Sequence, residues 1–293
     1  MGAAGGCSGA GTTAANNFLA RTSGLTTTES TAMRTAICAM VADGLITGNL
    51  SGATGCGVPF DAIYVFAVTD PTAGRNSLLN LCGTSFTATA VGSPTFTTDN
   101  GYTGGAYGNT TVGLNTGFNP NTAGGNYTTN AAHLSFWSFT DSFQPAFSND
   151  WNIGAGNTTT DQAAFIGTVN SPEGWFCILN GLTTTAGIDY QPGGTQHANV
   201  FTLCNRTTST NVQFYLAGVL VATTTTATTD LEPNGSSVAI AILNWIIAGG
   251  GFAGGALHQI GMATFGGSLS STQVGQIQTI WCAYFTSVRG ACS

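Results

Sequence analysis

Twelve acidic side chains, three histidines and eight cysteines are the first groups in this chain to weigh for proton-transfer or nucleophilic chemistry, so their spacing decides what they could do. Hydrolysis of a polysaccharide needs two carboxyl groups about 5 to 10 Å apart. On a strand, that means acids two or four residues apart on one face. Of the glutamates Glu29, Glu173 and Glu232, only Glu232 has an acid at such a spacing, Asp230. That pair stands in the proline-containing stretch TTDLEPNG and reads as a solvated turn. The E-x-D-x-x-E arrangement of laminarinase-type sandwiches is absent. A nucleophile elbow, G-x-S-x-G, is only brushed by Gly266-Gly267-Ser268-Leu269-Ser270, where Ser270 is explained as a helix cap. His133, His197 and His258 lie far apart and no cysteine sits in a C-x-x-C pair, which leaves a zinc or redox centre little to build on. Asp70 and Asp99-Asn100-Gly101 could lend oxygens to calcium, without the spacing of an EF-hand loop. The chain is therefore expected to be no enzyme, with no cofactor and no resident metal.

The cysteines and exposed aromatics offer other functions. Cysteines stand at 7, 38, 56, 82, 177, 204, 282 and 292. An even number in a charge-poor chain points to disulfides, although Cys177 and Cys204, inside apolar runs, would also pack as buried thiols. Cys7 and Cys292, at opposite glycine-rich ends, are the disulfide candidates. An end with little core of its own is held only if something ties it down. The bond is expected to a neighbouring chain rather than within one. Tyr102, Tyr107, Tyr127 and Trp151, among glycines and asparagines, are candidates for stacking on sugar rings; the competing reading makes them plugs for the ends of a sandwich.

Composition narrows the partners. Charged residues make up 6% of the chain, against roughly 25% in an ordinary soluble protein. There is no lysine, the arginines at 21, 34, 75, 206 and 289 are scattered, and the formal net charge is -7. Nucleic acid and anionic membrane surfaces both require clustered cations, so both are excluded as partners. With 42% hydrophobic residues the chain should fold. A surface of hydroxyls and amides has few charges to hold neighbours apart, which suits permanent packing against other chains and homo-oligomers. The apolar stretch 238–257 holds Asn244 and several glycines and lacks flanking Lys or Arg anchors, so no membrane span is expected there. The opening MGAAGGCSGAGTTAANNF shows no basic and apolar leader pattern.

Strands must position these groups. Residues 1 to 17 read as an arm with too few apolar groups to pack alone. Thr26 and Glu29 form a capping box ahead of Met33, Ile37, Met40 and Val41, and Gly44 ends that helix, over about 26–44. Ser270 and Gln273 repeat the signature ahead of Val274, Ile277, Trp281, Tyr284, Phe285 and Val288, over about 270–288. Between them short apolar or alternating runs start near residues 63, 77, 85, 133, 163, 174, 199, 211 and 237, separated by turns such as Asn100-Gly101, Asn180-Gly181 and Asn234-Gly235. This predicts an all-β antiparallel sandwich, with residues 1–59 as arm, helix and glycine-rich loop and 60–293 as the sandwich with its closing helix.

Several segments carry a family resemblance. The run Val212-Gln-Phe-Tyr-Leu-Ala-Gly-Val-Leu-Val-Ala222 resembles a hairpin of laminin-G-like jelly rolls, with Ala217 where an Asn is usual. The segment Ile260–Gln273 resembles their closing strand and helix. Asn17–Leu25, Phe60–Ala67, Gly101–Gly104 and Asn115–Phe118 extend the likeness to concanavalin A-like, laminin-G-like jelly-roll proteins of tailed phages and prophages. The resemblance implies a jelly roll and a virion structural role: capsid decoration, neck or collar, or tail fibre. Other virion proteins would be its partners and the surface of the particle its location. The second expectation is a glycan-binding adhesin for host surface sugars.

Overall fold

Each capping box closes as its spacing requires. Thr26 accepts from the Glu29 backbone N–H while the Glu29 carboxylate accepts from Thr26, and Ser270 and Gln273 exchange the same pair of bonds. These fix the starts of α2 (Thr27–Ala42) and α3 (Ser271–Arg289), which are preceded in the chain by α1 (Gly9–Leu19). The computed structural model describes residues 7, 9–52, 56–70, 76–105, 109–140, 150–157, 162–170, 173–182, 187–190, 198–225, 227, 239–247 and 251–292, with backbone only at 150, 157, 162, 163, 165, 168–170, 173, 182, 247 and 253.

Between α2 and α3 the chain is β. In order come β1 (Phe60–Val65), β2 (Thr89–Val91), β3 (Thr95–Thr97), β4 (Gly101–Thr103), β5 (Gly113–Asn115), β6 (Ala132–Ser138), β7 (Asp150–Asn157), β8 (Gln162–Asn170) and β9 (Glu173–Leu182). Then follow β10 (Ile188–Tyr190), β11 (Val200–Thr208), β12 (Asn211–Leu216), β13 (Val219–Thr225), β14 (Ala241–Ile242), β15 (Asn244–Ile247), β16 (Phe252–Gly255) and β17 (Gln259–Gly266). They form two sheets. The first runs β13-β12-β11-β6-β17-β4-β3, with β1 also on β17; the second runs β10-β9-β8-β7-β14-β5-β2, with the β15–β16 hairpin attached to β7. Pairing is antiparallel throughout except where β15 lies parallel to β7. The fold is the expected antiparallel β-sandwich.

The sheets enclose one core, and the helices enclose a second. In β1, Ala62 and Tyr64 join the core between the sheets, while Ile63 and Val65 face the helices. In β6 every residue is buried, with Phe136 turned inward and Trp137 toward the helices. Trp137 and Phe139 both meet Phe285 of α3, at ring-centroid distances of 5.0 and 4.9 Å, and the Tyr284 hydroxyl donates to the Ala67 carbonyl at 2.9 Å. Sealing both faces is what lets these strands carry unbroken apolar runs.

Three expectations need correction. Residues 9–17 of the expected arm are not unpacked: they belong to α1, which buries Ala14, Ala15 and Phe18 against α2. Gly11 allows the approach, since a Cβ there would stand 3.3 Å from the Cys38 Cα. Residues 76–78 form a 3-10 turn, not a strand. The Asn80 side chain takes over strand-like bonding there: its oxygen accepts from the Ile63 and Cys82 N–H groups at 3.1 and 3.0 Å. The cysteines pair within the chain as Cys7–Cys38, Cys56–Cys82, Cys177–Cys204 and Cys282–Cys292. Neither Cys7 nor Cys292 is left to reach a neighbouring chain. The left-handed Gly290 (φ 81°) ends α3 and turns Cys292 back to Cys282, with Cα atoms 5.0 Å apart. At the β12–β13 turn, Ala217 (φ 48°) and Gly218 (φ 78°) both adopt the positive angles of a type I′ turn, despite the missing Asn.

Candidate functional site: the outer face of the second sheet

The three helices pack together and on the first sheet. Among the described residues no helix covers the outer face of the second, which makes that face the candidate surface. Strand alternation identifies the residues on it. Along β9, Trp175, Cys177 and Leu179 enter the core between the sheets, so Phe176 and Ile178 point the other way, where they form a separate cluster with Trp151 and Trp245.

Register places these side chains in one row. Trp151 pairs with Gly167, Gly167 with Phe176 and Phe176 with Asp189, across β7, β8, β9 and β10. Trp151 and Phe176 are therefore two strands apart, roughly 10 Å, with a glycine between them. The result is a shallow trough with an aromatic ring at each side and an exposed carboxylate, Asp189, at its end. Trp245 supports Trp151 from β15 at a centroid distance of 5.7 Å, and Ile178 lies buried behind. Trp151 and Phe176 are both half-buried. Glycines hold the rings in place: a Cβ at Gly254 would collide with the Trp151 indole, and one at Gly187 with the Phe176 ring.

A β-bulge adjoins the trough. The β7–β8 register slips between Trp151 and Ile153, leaving Asn152 as the extra residue. Such bulges re-aim side chains and recur beside binding sites. The Asn152 carbonyl accepts from the Leu243 N–H at 2.7 Å, but both polar atoms of its side-chain amide are buried without a hydrogen-bond partner. Leaving such a group unpaired costs about 1–3 kcal/mol.

Of the three described aromatics singled out in the sequence, Tyr102, Tyr127 and Trp151, only Trp151 belongs to this face. Tyr102 is buried at 1% exposure, its ring 5.0 Å from Phe96 and 5.8 Å from Phe66, and its hydroxyl meets Ser77 at 3.1 Å. Tyr127 is buried as well and donates to the Asn180 side-chain oxygen at 2.7 Å. Burial pushes its phenol pKa upward. Both plug the sandwich core, so neither can stack on a surface ligand. Tyr107 lies outside the described residues. Phe176, Ile178 and Trp245 were missed, although the alternation in Gly174–Asn180 already separates Phe176 and Ile178 from their inward neighbours.

The acids do structural work where they are described. Asp61 accepts from the Asn126 and Tyr127 backbone N–H groups, each at 2.7 Å; burial raises its pKa against those bonds. The Glu29 carboxylate is also buried, which works to raise its pKa, but bonds from Thr26 and Thr69 outweigh this and leave it lowered. Asp99 is pushed up to about 6, first by burial and then by the Glu29 charge. Ser77 donates to Asp70 at 2.6 Å. Asp230, Glu232 and His197 lie outside the described residues, and Glu173 is described by its backbone alone. His133 is fully buried and donates from Nδ1 to the Gly267 carbonyl at 2.6 Å; burial takes its pKa down to about 4. His258 is buried against Trp175, with ring centroids 5.9 Å apart. Among the described residues no three His, Cys, Asp or Glu side chains gather as a metal site would need.

No protein-family model matches the sequence, and no curated protein does. Solved structures share the architecture. Domain 4 of AbnA, an extracellular GH43 arabinanase from Geobacillus stearothermophilus in complex with arabinotriose, is 15% identical; the match covers 75% of this chain and 98% of that one, at a TM-score of 0.46. The binding domain of botulinum neurotoxin DC in complex with rat synaptotagmin II is 12% identical over 75% of this chain, at 0.49. The botulinum neurotoxin serotype D binding domain is 9% identical over 75% of it, at 0.48. This chain spans about half the length of the two neurotoxin domains, 51% in each case. At such identities the likeness is one of fold, and function must come from the site itself.

Proposed function

We propose that this chain is a non-enzymatic recognition protein, displayed outside the cell on the surface of a particle such as a phage virion, that binds carbohydrate on the outer face of its second sheet. The observation that carries the reading is the Trp151–Gly167–Phe176 row, with two half-buried rings on either side of a glycine. Apolar rings clustered on a sheet face among polar residues mark candidate interaction sites. Ring faces suit the C–H faces of sugars, and the neighbouring polar groups suit their hydroxyls. Four disulfides support an oxidising, extracellular compartment. Affinity electrophoresis through gels containing polysaccharide tests the reading. The protein should be retarded by at least one polysaccharide, and the Trp151→Ala variant should run as in an empty gel. Equal retardation of both proteins would refute it.

A second reading, a structural virion protein that packs against other particle proteins, draws on the helix side. Between α2 and α3 lies a groove of about 590 Å³ lined by Thr28, Thr31, Thr35, Ala39, Thr279 and Ala283, with no charged side chain in its lining. A surface with so few charges suits permanent packing. Mass spectrometry and labelling of the purified particle separate the two: the packing reading predicts that this groove is protected in the particle, whereas the recognition reading predicts that the trough stays accessible.

A further inference from the structure

We infer that the trough selects uncharged saccharides and rejects sialylated and uronic-acid glycans, an inference that rests on the carbohydrate reading of this face. The argument is an inventory of cations. Recognition of a sugar carboxylate requires a charged donor, above all the planar fork of an arginine. The chain has no lysine and five arginines.

The described arginines are all engaged elsewhere. Arg21 donates to the Asn80 and Leu81 carbonyls at 3.0 and 3.1 Å, beside Phe18 of α1. Arg34 joins α2 to Asn16 of α1 at 2.8 Å. Arg289 of α3 lies 3.4 Å from the Phe139 ring centroid and donates to Asn100 at 3.0 Å. Arg206 is fully buried and donates to the Leu179 and Ser209 carbonyls at 2.6 and 3.1 Å. Arg75 lies outside the described residues, next in sequence to Asn76, whose side chain binds Ser23 and Thr69. The histidines do not fill the gap. His133 and His258 are buried in the sandwich, and His197 lies outside the described residues.

The charged side chain described at the trough is an acid. Asp189 is exposed at the end of the row, and the whole chain carries a formal charge of -7. A carboxylate accepts hydrogen bonds from sugar hydroxyls but repels a sugar carboxylate. A carboxylate pressed against two aromatic rings would also lose water without gaining a paired donor.

Matched glycans test this on the folded protein at about pH 8, above the ordinary titration range of a histidine side chain. The pairs are galactose-terminated oligosaccharides with and without a capping sialic acid, and glucose oligosaccharides with and without a C6 carboxylate. Each is titrated calorimetrically. The neutral member should bind at least about tenfold more tightly than its acidic partner, and its Kd should change less than about twofold between 0.05 and 0.5 M NaCl. The Asp189→Lys variant, with circular dichroism confirming its fold, should gain about tenfold for the acidic members. Acidic members bound as tightly as neutral ones, with Trp151→Ala still abolishing binding, would overturn the charge selection and leave the trough as the site. No binding to any pair, or binding indifferent to Trp151→Ala, would overturn the carbohydrate reading and this inference together.

Discussion

Replacing both Cys177 and Cys204 with alanine removes the bond that joins β9 of the second sheet to β11 of the first through the core. Both residues are fully buried, and they are 27 positions apart in sequence. Closing a loop of that length in the unfolded chain is worth about 3.6 kcal/mol by the chain-entropy relation. The lost sulfur packing adds to this, because the surrounding core cannot fully collapse. At about 2–4 °C per kcal/mol for a domain of this size, the melting temperature should fall by roughly 7–14 °C. Differential scanning calorimetry of the double variant measures the fall. Mass spectrometry after alkylation in denaturant without reductant checks that the wild-type thiols are absent. A fall under about 2 °C, or labelling of Cys177 and Cys204 in the unreduced protein, would refute the stapling role.

Two further perturbations probe buried polar groups. His133 has a folded pKa of about 4, below its ordinary 6.5. The unfolded chain therefore binds more protons between those values, and its contribution, present above about pH 6.5, is lost as pH falls toward 4. Asp99, raised to about 6, pulls the opposite way in the same window, losing its contribution as pH rises. It is partly exposed and screened by solvent, so the fully buried His133 should prevail. Urea midpoints should drop between pH 7 and pH 4, and His133→Gln should flatten the drop; an unchanged slope in the variant would contradict this. Arg206→Ala should destabilise by about 2–3 kcal/mol in urea unfolding, because it leaves the buried Leu179 carbonyl of the facing sheet without its donor. Arg206→Lys should not restore the loss, since one ammonium cannot span the Leu179 and Ser209 carbonyls.

Local signals were legible in the sequence and long-range ones were not. Both capping boxes formed because four consecutive residues suffice to make them. The sandwich was visible in runs such as Gly174–Asn180, where side-chain direction follows parity alone. Helix α1 escaped notice because its glycines and alanines look unstructured until α2 lies against them. Disulfide partners could not be read, since eight cysteines allow 105 connectivities and topology alone brings Cys7 to Cys38 and Cys177 to Cys204. Tyr102 and Tyr127 have glycine and asparagine neighbours like those of a surface aromatic, yet the short strand Gly101–Thr103 directs one ring inward and the bond to Asn180 holds the other. β7, with the glycine-rich sequence DWNIGAGN, has too weak a pattern to reveal that Trp151 would align with Phe176.

The most direct test of the carbohydrate face is the indole N–H spectrum of the protein, labelled with nitrogen-15 at tryptophan, during titration with a neutral oligosaccharide. The five indoles divide by position: Trp151 and Trp245 lie at the trough, Trp175 lies between the sheets, and Trp137 and Trp281 lie under the helices. The signals of Trp151 and Trp245 should shift with the sugar while the other three stay fixed. Shifts confined to Trp137 or Trp281, or no shift with any sugar that the protein retains, would contradict the assignment of this face as the binding site.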